Sequence, residues 1–581
     1  MYLGVNISHD ASAALIDADG KVLYAIGEER LSRVKNYQGF PLRAIDEILS
    51  NHKADKIHKI IYGSYVQSSH LDRYIAQELG NPSNPRGKFN QTFPGFEFKT
   101  TRHGINPNIA AHNFMISQIP VLNGIDHNYV QHHDSHLGCA LPLASDRNTL
   151  VVSLDGAGDG ESGAISLMNA NSSTLYPLAR ISDLDSLGLL YSAVTARYGF
   201  KPTHHEGKIT GLAAYGKPSV LVESLSQYVK VKSGTVTLNY EKNRYSRNLI
   251  RTLHSFGIRV ARPTSIEQIV DLVLTQNASF EYPDLAFAVQ HVLEKAVCEL
   301  ISYWVDKTSV SQIALTGGVF ANVRLNEKVT EIKGVTHVKV YPNMGDGGIA
   351  VGSVWSYLNK SGTKLYPELA ESMLLGTEFS KRQGNLIPIG IKRTEYPLEV
   401  VPKLIAEKVA QRRVVAVLNG RMEFGPRALG STSILLDPRD ATLISEVNAR
   451  LKRTEFMPFA PAVLENHFGQ WFETLNQTLQ PFKFMTMTCN VKLEKRHEIP
   501  AVTHVDGSAR PQIVSSTAYL FFSKIIEEFY SITKIPLIVN TSFNLHEEPI
   551  IRETKSAFDA LLRGAIDDLF TEDAHYEICK A

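Results

Sequence analysis

Cysteine, long apolar runs and surplus charge are all scarce in this sequence. Its four cysteines, Cys139, Cys298, Cys489 and Cys579, form no CxxC pair, which excludes a zinc ribbon or finger and argues against a disulfide scaffold. No run of about 18 apolar residues occurs, so we expect no membrane span. The first residues lack the basic and apolar regions of a signal peptide, so we expect a cytoplasmic protein. The 60 basic and 59 acidic residues give a net charge of +1, which argues against a nucleic-acid partner.

The order of predicted strands and helices indicates a mixed α/β chain of two domains. A strand, a polar turn carrying aspartate and a hairpin occur in residues 2–27 and again in residues 149–168. Later strands alternate with helical patterns, and duplicated units around a cleft suggest a two-lobed ATPase. Residues 356–395 form a weakly periodic connection before a new α/β pattern. We therefore place the boundary after residue 376, which gives domains of 1–376 and 377–581.

Two histidines and two aspartates are candidates for one metal site. His132 and His136 are four residues apart, a spacing that puts both imidazoles on one face of a helix. Asp155 ends a predicted buried strand, and Asp346 stands among glycines before a helix of small residues. Two nitrogen and two oxygen ligands suit iron, manganese or zinc and leave room for a substrate oxygen. The alternatives are a polar helix face for the histidines and a turn or N-cap for each aspartate.

His9 and Lys208 are candidates for chemistry on a ligand of the first domain. His9 lies at the first hairpin bend beside Ala11, Ser12 and Ala13, whose short side chains leave space for a ligand. A neutral histidine with an ordinary pKa of about 6.5 can act there as a general base; the alternative is a surface histidine. Lys208 follows a glycine before a small-residue helix and could bring its ammonium to a phosphate, although the P-loop pattern is absent.

The second domain carries several clusters of cations, hydroxyls and amides near predicted strand ends. Arginines flank a Gly-Pro turn in residues 421–430, where they suit bidentate phosphate recognition. In a chain of nearly zero net charge this concentration predicts a polyanionic small ligand. Solvated surface pairs would explain one such cluster but not four. The candidate residues are Arg421, Arg427, Lys452, Arg453, His504, Arg510, Asn540, Ser542 and Asn544.

These segments resemble the NodU/CmcH family of O-carbamoyltransferases along nearly the whole chain. The motifs in the first domain are residues 9–15 (HDASAAL), 28–33 (EERLSR), the His132/His136 pair with Asp155, 206–216 (EGKITGLAAYG), 317–322 (GGVFAN) and 345–348 (GDGG). The motifs in the second domain are residues 424–430 (FGPRALG), 458–461 (PFAP), 503–507 (THVDG) and 540–544 (NTSFN). So many motifs in the same order make chance agreement negligible.

The resemblance implies an actin-like ATPase-superfamily (ASKHA) two-lobed domain followed by a YrdC-like α/β domain. It implies that the second domain converts carbamoyl phosphate and ATP, with Mg²⁺, into carbamoyl adenylate. The first domain would then transfer the carbamoyl group to a hydroxyl of a small-molecule acceptor. The family motif maps the ligands of iron (Fe²⁺, or another divalent ion) onto His132, His136, Asp155 and Asp346, and the acceptor-side base onto His9. It maps nucleotide or adenylate contacts of the first domain onto Asp10, Ser12, Lys208, Gly211, Gly317, Gly318 and Asn322.

The sequence departs from the family pattern at two places. Ser431 and Thr432 stand where the family has Asn or His followed by Arg, and Met457 stands where it has Arg. Two expected phosphate contacts are therefore missing, and the alternatives are a lower affinity for phosphate or replacement by Arg412, Arg413 or Arg453.

The acceptor and two competing functions stay open at this level. Acceptor contacts are expected in variable loops such as residues 81–113, so sugars, aminoglycosides, polyketides, cephems and alkaloids all fit. A threonylcarbamoyl-transferring tRNA-modification enzyme would share both domain types but would need an RNA surface. A nucleotide-binding scaffold would keep the fold without turnover. A hydrogenase-maturation carbamoyltransferase would carry CxxC pairs, which are absent.

Overall fold

The computed structural model describes residues 1–65, 107–144, 146–239, 266–277, 280–381, 386–452, 459–473 and 478–579. Arg453, Met457 and most of the expected acceptor segment lie outside the described residues. Within them the chain has two five-stranded sheets in its first half and an eight-stranded sheet in its second, so the predicted mixed α/β class is confirmed. No helix of this part of the chain combines the length and apolar character needed to cross a membrane.

The first sheet is built from β1 Tyr2–Asn6, β2 Ser12–Ile16, β3 Val22–Gly27, β4 Lys59–Tyr62 and β5 Asp126–Tyr129. Its strand order is β3-β2-β1-β4-β5. Strand β2 pairs antiparallel with both β1 and β3, and β4 and β5 extend the sheet in parallel from β1. Gly20 takes a φ of +87° in the turn between β2 and β3, where the Asp19-Gly20 pair predicted a hairpin.

The second sheet repeats this topology. Its strands are β6 Thr149–Gly158, β7 Glu161–Asn169, β8 Thr174–Ser182, β11 Gln312–Thr316 and β12 His337–Val340, with a separate hairpin of β9 Val229–Lys232 and β10 Thr235–Leu238. The order is β12-β11-β6-β7-β8. Strands β6, β7 and β8 are antiparallel, and β11 and β12 extend β6 in parallel. Both sheets thus follow one plan, as the repeated sequence pattern predicted.

Two helices bring the sheets of the first half together. The described helices of this half are α1 Glu29–Ser32, α2 Leu42–Asn51, α3 Pro107–Gln118, α4 His132–Ala144, α5 Leu187–Arg197, α6 Glu206–Ala213, α7 Val220–Ser226, α8 Glu267–Gln276, α9 Tyr282–Thr308, α10 Val323–Thr330 and α11 Ile349–Lys360. Helix α4 packs on the second sheet, α11 packs on the first, and the two helices pack on each other. A Cβ at Gly138 would lie 2.0 Å from the Gly352 carbonyl oxygen, and one at Gly352 would lie 2.1 Å from the Ser135 carbonyl oxygen. Glycine at both positions is therefore what permits this close crossing.

The second half surrounds an eight-stranded sheet. The described strands of the second half, in all its sheets, are β13 Leu374–Glu378, β14 Ile391–Glu395, β15 Val415–Leu418, β16 Arg421–Glu423, β17 Thr432–Leu436, β18 Ala460–Leu464, β19 Cys489–Asn490, β20 Ser508–Ala509, β21 Gln512–Val514, β22 Leu537–Ser542, β23 Asp568–Thr571 and β24 Ala574–Ile578. Its described helices are α12 Val401–Ala410, α13 Thr442–Arg450, α14 Phe468–Trp471, α15 Leu520–Thr533 and α16 Thr554–Leu562. The large sheet has the order β14-β24-β23-β15-β17-β22-β18-β21, while β13 pairs with β16 and β19 with β20. The expected domain boundary, after residue 376, falls within β13, and its position stays a prediction.

The two halves are joined by apolar and polar contacts. One hydrophobic cluster continues from the first half into the second. The Tyr24 hydroxyl lies 2.9 Å from the Thr377 hydroxyl, and the guanidinium of Arg552 donates to both carboxylate oxygens of Glu47 at 3.0 Å. Because these contacts tie α2 and β3 to the second half, residues near the junction have fixed positions relative to both halves.

Candidate functional site

His132, His136, Asp155 and Asp346 converge in the first half of the chain. The Nε2 atoms of the two histidines lie 3.1 Å apart. Asp155 Oδ2 lies 3.3 Å from His132 Nε2 and 3.9 Å from His136 Nε2. Asp346 Oδ1 lies 3.6 Å and 3.4 Å from the same two atoms. The structure therefore brings together the four residues that the sequence grouped from distant segments.

Three elements position these side chains. Helix α4 begins at His132 and carries His136 one turn later. Asp155 lies in β6, and Asp346 opens a short 3₁₀ turn that leads into α11. A Cβ at Gly158 would lie 2.1 Å from the His132 ring, so a residue without a side chain makes room for that imidazole.

Each carboxylate uses one oxygen for a protein donor and turns the other towards the histidines. The Gly318 amide donates to Asp155 Oδ1 at 2.9 Å, and the Ser8 hydroxyl donates to Asp346 Oδ2 at 3.0 Å. Such outer hydrogen bonds orient metal-binding carboxylates. Ser8 is not among the residues predicted from the sequence, although its position beside His9 marks it.

The donor set fits a divalent transition metal. Ligand atoms about 2.0–2.2 Å from one tetrahedral ion lie about 3.3–3.6 Å apart, close to the 3.1–3.9 Å separations between these atoms. Burial lowers the pKa of His132, but the Asp346 and Asp155 carboxylates outweigh burial and raise that pKa to about 9. Burial also favours the neutral form of Asp155, yet His132 and His136 hold the pKa of this carboxyl below its ordinary value. The field that stabilises protonated histidine would equally stabilise a bound cation.

His9 presents one ring nitrogen to a carboxylate and leaves the other without a protein partner. Its Nδ1 lies 2.7 Å from Asp10 Oδ2, and its Nε2 is buried with no hydrogen-bond partner in the described residues. The ring meets His204 edge-on, with the centroids 5.0 Å apart. Burial lowers the pKa of His9, but Asp10 in particular raises it to about 9. The ordinary pKa expected from the sequence is therefore wrong, because the neighbouring carboxylate stabilises the imidazolium.

Asp10 and Ser12 have local partners in the hairpin that carries His9. Asp10 adopts a φ of +51°, and its Oδ1 accepts from the Asn36 side-chain amide at 2.8 Å. The Ser12 hydroxyl donates to the Gly347 carbonyl at 2.9 Å, next to Asp346. These contacts fix the hairpin against the turn that carries a candidate metal ligand, and a nucleotide contact by either residue stays a prediction.

The predicted glycine turn follows β11 and lies against β6. Gly317 takes a φ of +94°, and a Cβ there would lie 2.2 Å from the Leu154 carbonyl oxygen. Asn322 caps α10 by accepting from the Leu325 amide at 3.0 Å. Its side-chain amide also donates to Gln290 Oε1 at 2.8 Å. The turn therefore lies beside Asp155, with Gly318 donating to that carboxylate.

Lys208 and Gly211 lie buried on α6. The ammonium of Lys208 lies 5.3 Å from the centre of the Phe200 ring, and no carboxylate among the described residues pairs with it. A buried ammonium of this kind suits an anionic ligand. The structure leaves the predicted phosphate contact of Lys208 open.

The structure adds Gln290, on α9, to the polar groups around this turn. Its side-chain oxygen accepts from the Tyr191 hydroxyl at 2.8 Å, and its amide donates to Glu294 at 2.7 Å. Gln290 is buried together with the apolar residues of its helix. No sequence motif marks it, since it interrupts an otherwise ordinary helical pattern.

Glu423 organises the arginine-containing turn of residues 424–430 in the second half. Its Oε1 accepts from the amides of Leu429 and Ser431 at 2.9 Å and of Thr432 at 3.0 Å. Its Oε2 is buried with no hydrogen-bond partner in the structure as described. Three amides on one oxygen fix the path of the chain around the half-buried Arg427. Glu423 is not among the residues predicted from the sequence, because its role depends on the folding of the turn back over β16.

Asn540, Ser542 and Asn544 lie along and just after β22. Asn540 is buried and donates to Gln512 Oε1 at 2.8 Å and to the Ala428 carbonyl at 3.2 Å. The Ser542 hydroxyl donates to Asn544 Oδ1 at 2.6 Å, and the Asn544 amide donates to two backbone carbonyls at 3.0 Å. The Ala428 contact shows that two clusters far apart in sequence adjoin in the fold.

His504 and Arg510 lie on the segment around β20. His504 Nδ1 lies 3.3 Å from Asp506 Oδ1, and its Nε2 is buried without a partner among the residues described. The His504 ring meets Tyr215 of the first half edge-on at 6.0 Å. Arg510 is half-buried four residues before β21 ends. His504 thus faces the junction between the halves.

Arg421, predicted to contact phosphate, makes its described hydrogen bonds to backbone carbonyls. Its Nε and Nη2 donate to two carbonyls of β13, and Nη2 also donates to the Leu23 carbonyl at 2.8 Å. The guanidinium therefore joins the halves, and its predicted phosphate contact stays a prediction. Lys452 is exposed with a φ of +56°, and Arg453 lies outside the described residues.

A second group of potential ligands, Asp568, His575 and Glu577, lies at one edge of the large sheet. Asp568 accepts from Arg413 and lies 3.7 Å from the Lys408 ammonium and 2.7 Å from His575 Nε2. Cations of the protein already neutralise this carboxylate, so we interpret the group as an ion-pair network.

Comparison with known proteins places these sites in a family. The family model described as the carbamoyltransferase N-terminus matches residues 1–355, and the carbamoyltransferase C-terminus matches residues 406–577. The chain belongs to the carbamoyltransferase family. It is a carbamoyltransferase enzyme, and the family expected from the sequence is confirmed.

Relatives span most of the chain. Nodulation protein NolNO of Sinorhizobium fredii is 30% identical over 567 residues, which cover 97% of this chain and 78% of the relative. Nodulation protein U of Azorhizobium caulinodans is 24% identical over 581 residues, which cover 93% and 92% of the two chains. Full-length HypF in its phosphate- and nucleotide-bound form aligns with a TM-score of 0.34 at 13% identity, over 61% of this chain and 55% of that one.

Proposed function

We propose that this carbamoyltransferase is an ATP-dependent O-carbamoyltransferase that works in two steps. In the second half, carbamoyl phosphate, ATP and water give carbamoyl adenylate, phosphate and pyrophosphate. In the first half, the carbamoyl group passes to a hydroxyl of a small-molecule acceptor, and AMP leaves. The observation that carries the proposal is the His9 imidazole, which is held by Asp10 through Nδ1, while its buried Nε2 has no partner in the described chain.

The second half supplies the groups that an anionic substrate needs. Arg427 lies in the turn organised by Glu423, and Asn540 links that turn to β22. Arg427 and Arg510 would neutralise the phosphates of ATP–Mg²⁺ and carbamoyl phosphate. Ser542 and Asn544 would contact the nucleotide. We assign this half the YrdC-like role on the strength of this arrangement and of the family resemblance.

The first half would hold the adenylate in an actin-like cleft. The repeated topology of its two sheets supports this assignment. The glycine turn at Gly317 and Gly318 lets the backbone approach an anion closely. Lys208 would contribute a positive charge, and Asn322 with Gln290 would offer amide groups to the nucleotide.

His132, His136, Asp155 and Asp346 would hold a divalent metal, Fe²⁺ by family resemblance. When bound, such an ion supplies Lewis-acid polarisation of a substrate oxygen. The chain's own contribution is to fix the four ligands through Gly318, Ser8 and the close crossing of α4 and α11.

His9 would accept the proton that the acceptor hydroxyl loses as it attacks the carbamoyl carbon. In the neutral imidazole, the form that predominates above the His9 pKa of about 9, the hydrogen bond to Asp10 holds the Nδ1 proton and Nε2 is the basic atom. Asp10 then stabilises the imidazolium that forms, since its charge lies 2.7 Å from the ring nitrogen.

The test combines two assays. Pyrophosphate release from ATP should require carbamoyl phosphate, and label from ¹⁴C-carbamoyl phosphate should enter a member of a panel of hydroxylated metabolites. His9→Asn should lower label transfer about 10²–10⁴-fold and leave pyrophosphate release near the wild-type rate. Pyrophosphate release at the same rate with and without carbamoyl phosphate would refute the proposed function.

A further inference from the structure

A chain of hydrogen bonds and ion pairs leads from the candidate base into the second half of the protein. Asp10, which holds the base, accepts from the Asn36 side chain at 2.8 Å. The Asn36 amide donates to Glu29 Oε2 at 2.9 Å, and Glu29 Oε1 lies 3.4 Å from Arg30 Nε. Arg30 Nη2 donates to the Gly425 carbonyl at 2.7 Å. Gly425 belongs to the 424–430 turn, so Arg30 connects the two candidate sites.

One donor group of the Arg30 guanidinium has no partner among the described residues. Its side chain is only 5% exposed, and Nη1 is buried without a hydrogen-bond partner in the described residues. A buried guanidinium donor without a partner costs free energy, and such groups are rare in native proteins. A ligand oxygen at the junction would satisfy it.

We propose that Arg30 binds the phosphate of carbamoyl adenylate at the junction between the halves and so keeps the intermediate on the enzyme. The proposal rests on the proposed function, since it needs an adenylate that forms in one half and reacts in the other. The ligand chemistry is that of a nucleoside monophosphate mixed anhydride, whose phosphate keeps one negative charge. Arginine suits such a phosphate better than lysine because its planar donors match two oxygens.

Loss of the Arg30 contact would change which nucleophile attacks the carbamoyl carbon, the acceptor hydroxyl or water. In productive transfer the acceptor oxygen bonds to the carbamoyl carbon, AMP leaves with the bridging oxygen, and the proton goes to the base. If the adenylate escapes, water takes the acceptor's place, and AMP and carbamate result without a carbamoylated product. The ratio of AMP formed to acceptor carbamoylated therefore measures escape.

The experiment measures that ratio for the full chain with ATP, carbamoyl phosphate and the acceptor found in the labelling screen. The wild-type ratio should be near one. Arg30→Met should raise the excess of AMP over carbamoylated acceptor, which is the ratio minus one, about tenfold, the effect of losing one charge-assisted hydrogen bond, while pyrophosphate release continues. Glu29→Gln, which keeps the side-chain size but weakens the hold on Arg30 Nε, should raise the ratio less.

Arg33→Met is the matched control, because Arg33 directly follows α1 and also contacts the second half. Its guanidinium donates to the Ile550 and Pro549 carbonyls at 2.8 and 3.0 Å, and these hydrogen bonds do not belong to the chain that runs from Asp10 to Gly425. This variant should keep the ratio near one. A wild-type-like ratio in both Arg30→Met and Glu29→Gln, or an equal rise in Arg33→Met, would overturn the role of Arg30. Absence of carbamoyl-phosphate-dependent pyrophosphate release in the wild type would instead refute the proposed function.

Discussion

Replacing Asp10 with asparagine should lower the pKa of His9. Burial disfavours the imidazolium, and it is Asp10, through its charge and its 2.7 Å contact with Nδ1, that chiefly raises this pKa to about 9. An opposite charge in direct contact shifts a pKa by about 1–3 units. Asp10→Asn should therefore bring the pKa of His9 down to about 6–8, and the rising limb of the transfer rate with pH should move to lower pH by the same amount.

The same pair makes the stability of the protein depend on pH. The pKa of His9 in the folded protein, about 9, lies above the ordinary value of about 6.5. The pair therefore stabilises the folded state fully below about pH 6.5, and this contribution is lost as the pH rises through the folded pKa. A difference of about 2.5 units corresponds to about 3 kcal/mol in the free energy of unfolding. Between these two pH values the free energy of unfolding should fall less in Asp10→Asn than in the wild type.

Histidine NMR can measure this pKa without knowledge of the acceptor. In protein labelled with ¹³C-histidine, the His9 resonance is the one missing from the His9→Asn spectrum, and its chemical shift is followed from pH 5 to pH 10. Asn36→Ala is the matched control, since it removes a donor to Asp10 without removing the charge and should shift the pKa less. An identical pKa in Asp10→Asn and wild type would refute the electrostatic reasoning, even if transfer were slower.

Other substitutions test the remaining parts of the site. Asp155→Asn should abolish metal retention in elemental analysis, whereas Ser8→Ala, which removes only an outer hydrogen bond, should weaken metal affinity about 10–100-fold. Gly352→Val should lower the free energy of unfolding in urea by about 3 kcal/mol or more and lose the metal, because its Cβ would lie 2.1 Å from a carbonyl oxygen of α4; an unchanged urea midpoint would contradict the packing argument. Glu423→Ala should abolish carbamoyl-phosphate-dependent pyrophosphate release without altering metal content, since it frees the turn of Arg427. Arg427→Ala should give the same loss, and normal release in Arg427→Ala would remove that turn from the phosphate site.

The four candidate metal ligands could be grouped from the sequence because each lies in a recognisable local sequence pattern. The four-residue spacing of His132 and His136 requires only a helix, and Asp155 and Asp346 stand where a strand or turn ends among glycines. Strand periodicity and the Asp-Gly turn likewise suffice to predict the repeated strand and hairpin units of the two sheets. These features depend on short-range geometry, which spacing alone encodes.

Roles that depend on contacts between residues distant in the sequence could not be predicted from the sequence. Arg421 and Arg427 flank the same turn and look alike in sequence, yet only the pairing of β13 with β16 places carbonyls around Arg421. Glu423 resembles any strand-end carboxylate until the turn folds back and brings three amides to it. The pKa of His9 combines burial with the position of Asp10, and neither follows from the type of residue.

The contacts between the two halves affect how the two reactions of the proposed function can be separated. Point substitutions should separate them, since the candidate metal ligands lie in the first half of the chain and the turn of residues 424–430 lies in the second. The positions of the two sites are nevertheless set jointly, because Arg30 of the first half binds the turn and Arg421 of the second binds the carbonyl of Leu23. Each half therefore supplies hydrogen-bond partners that the other needs for its own local structure. If the proposed carbamoyl adenylate forms, this arrangement would help to keep it on the enzyme, because the distance between the sites cannot vary without breaking these contacts.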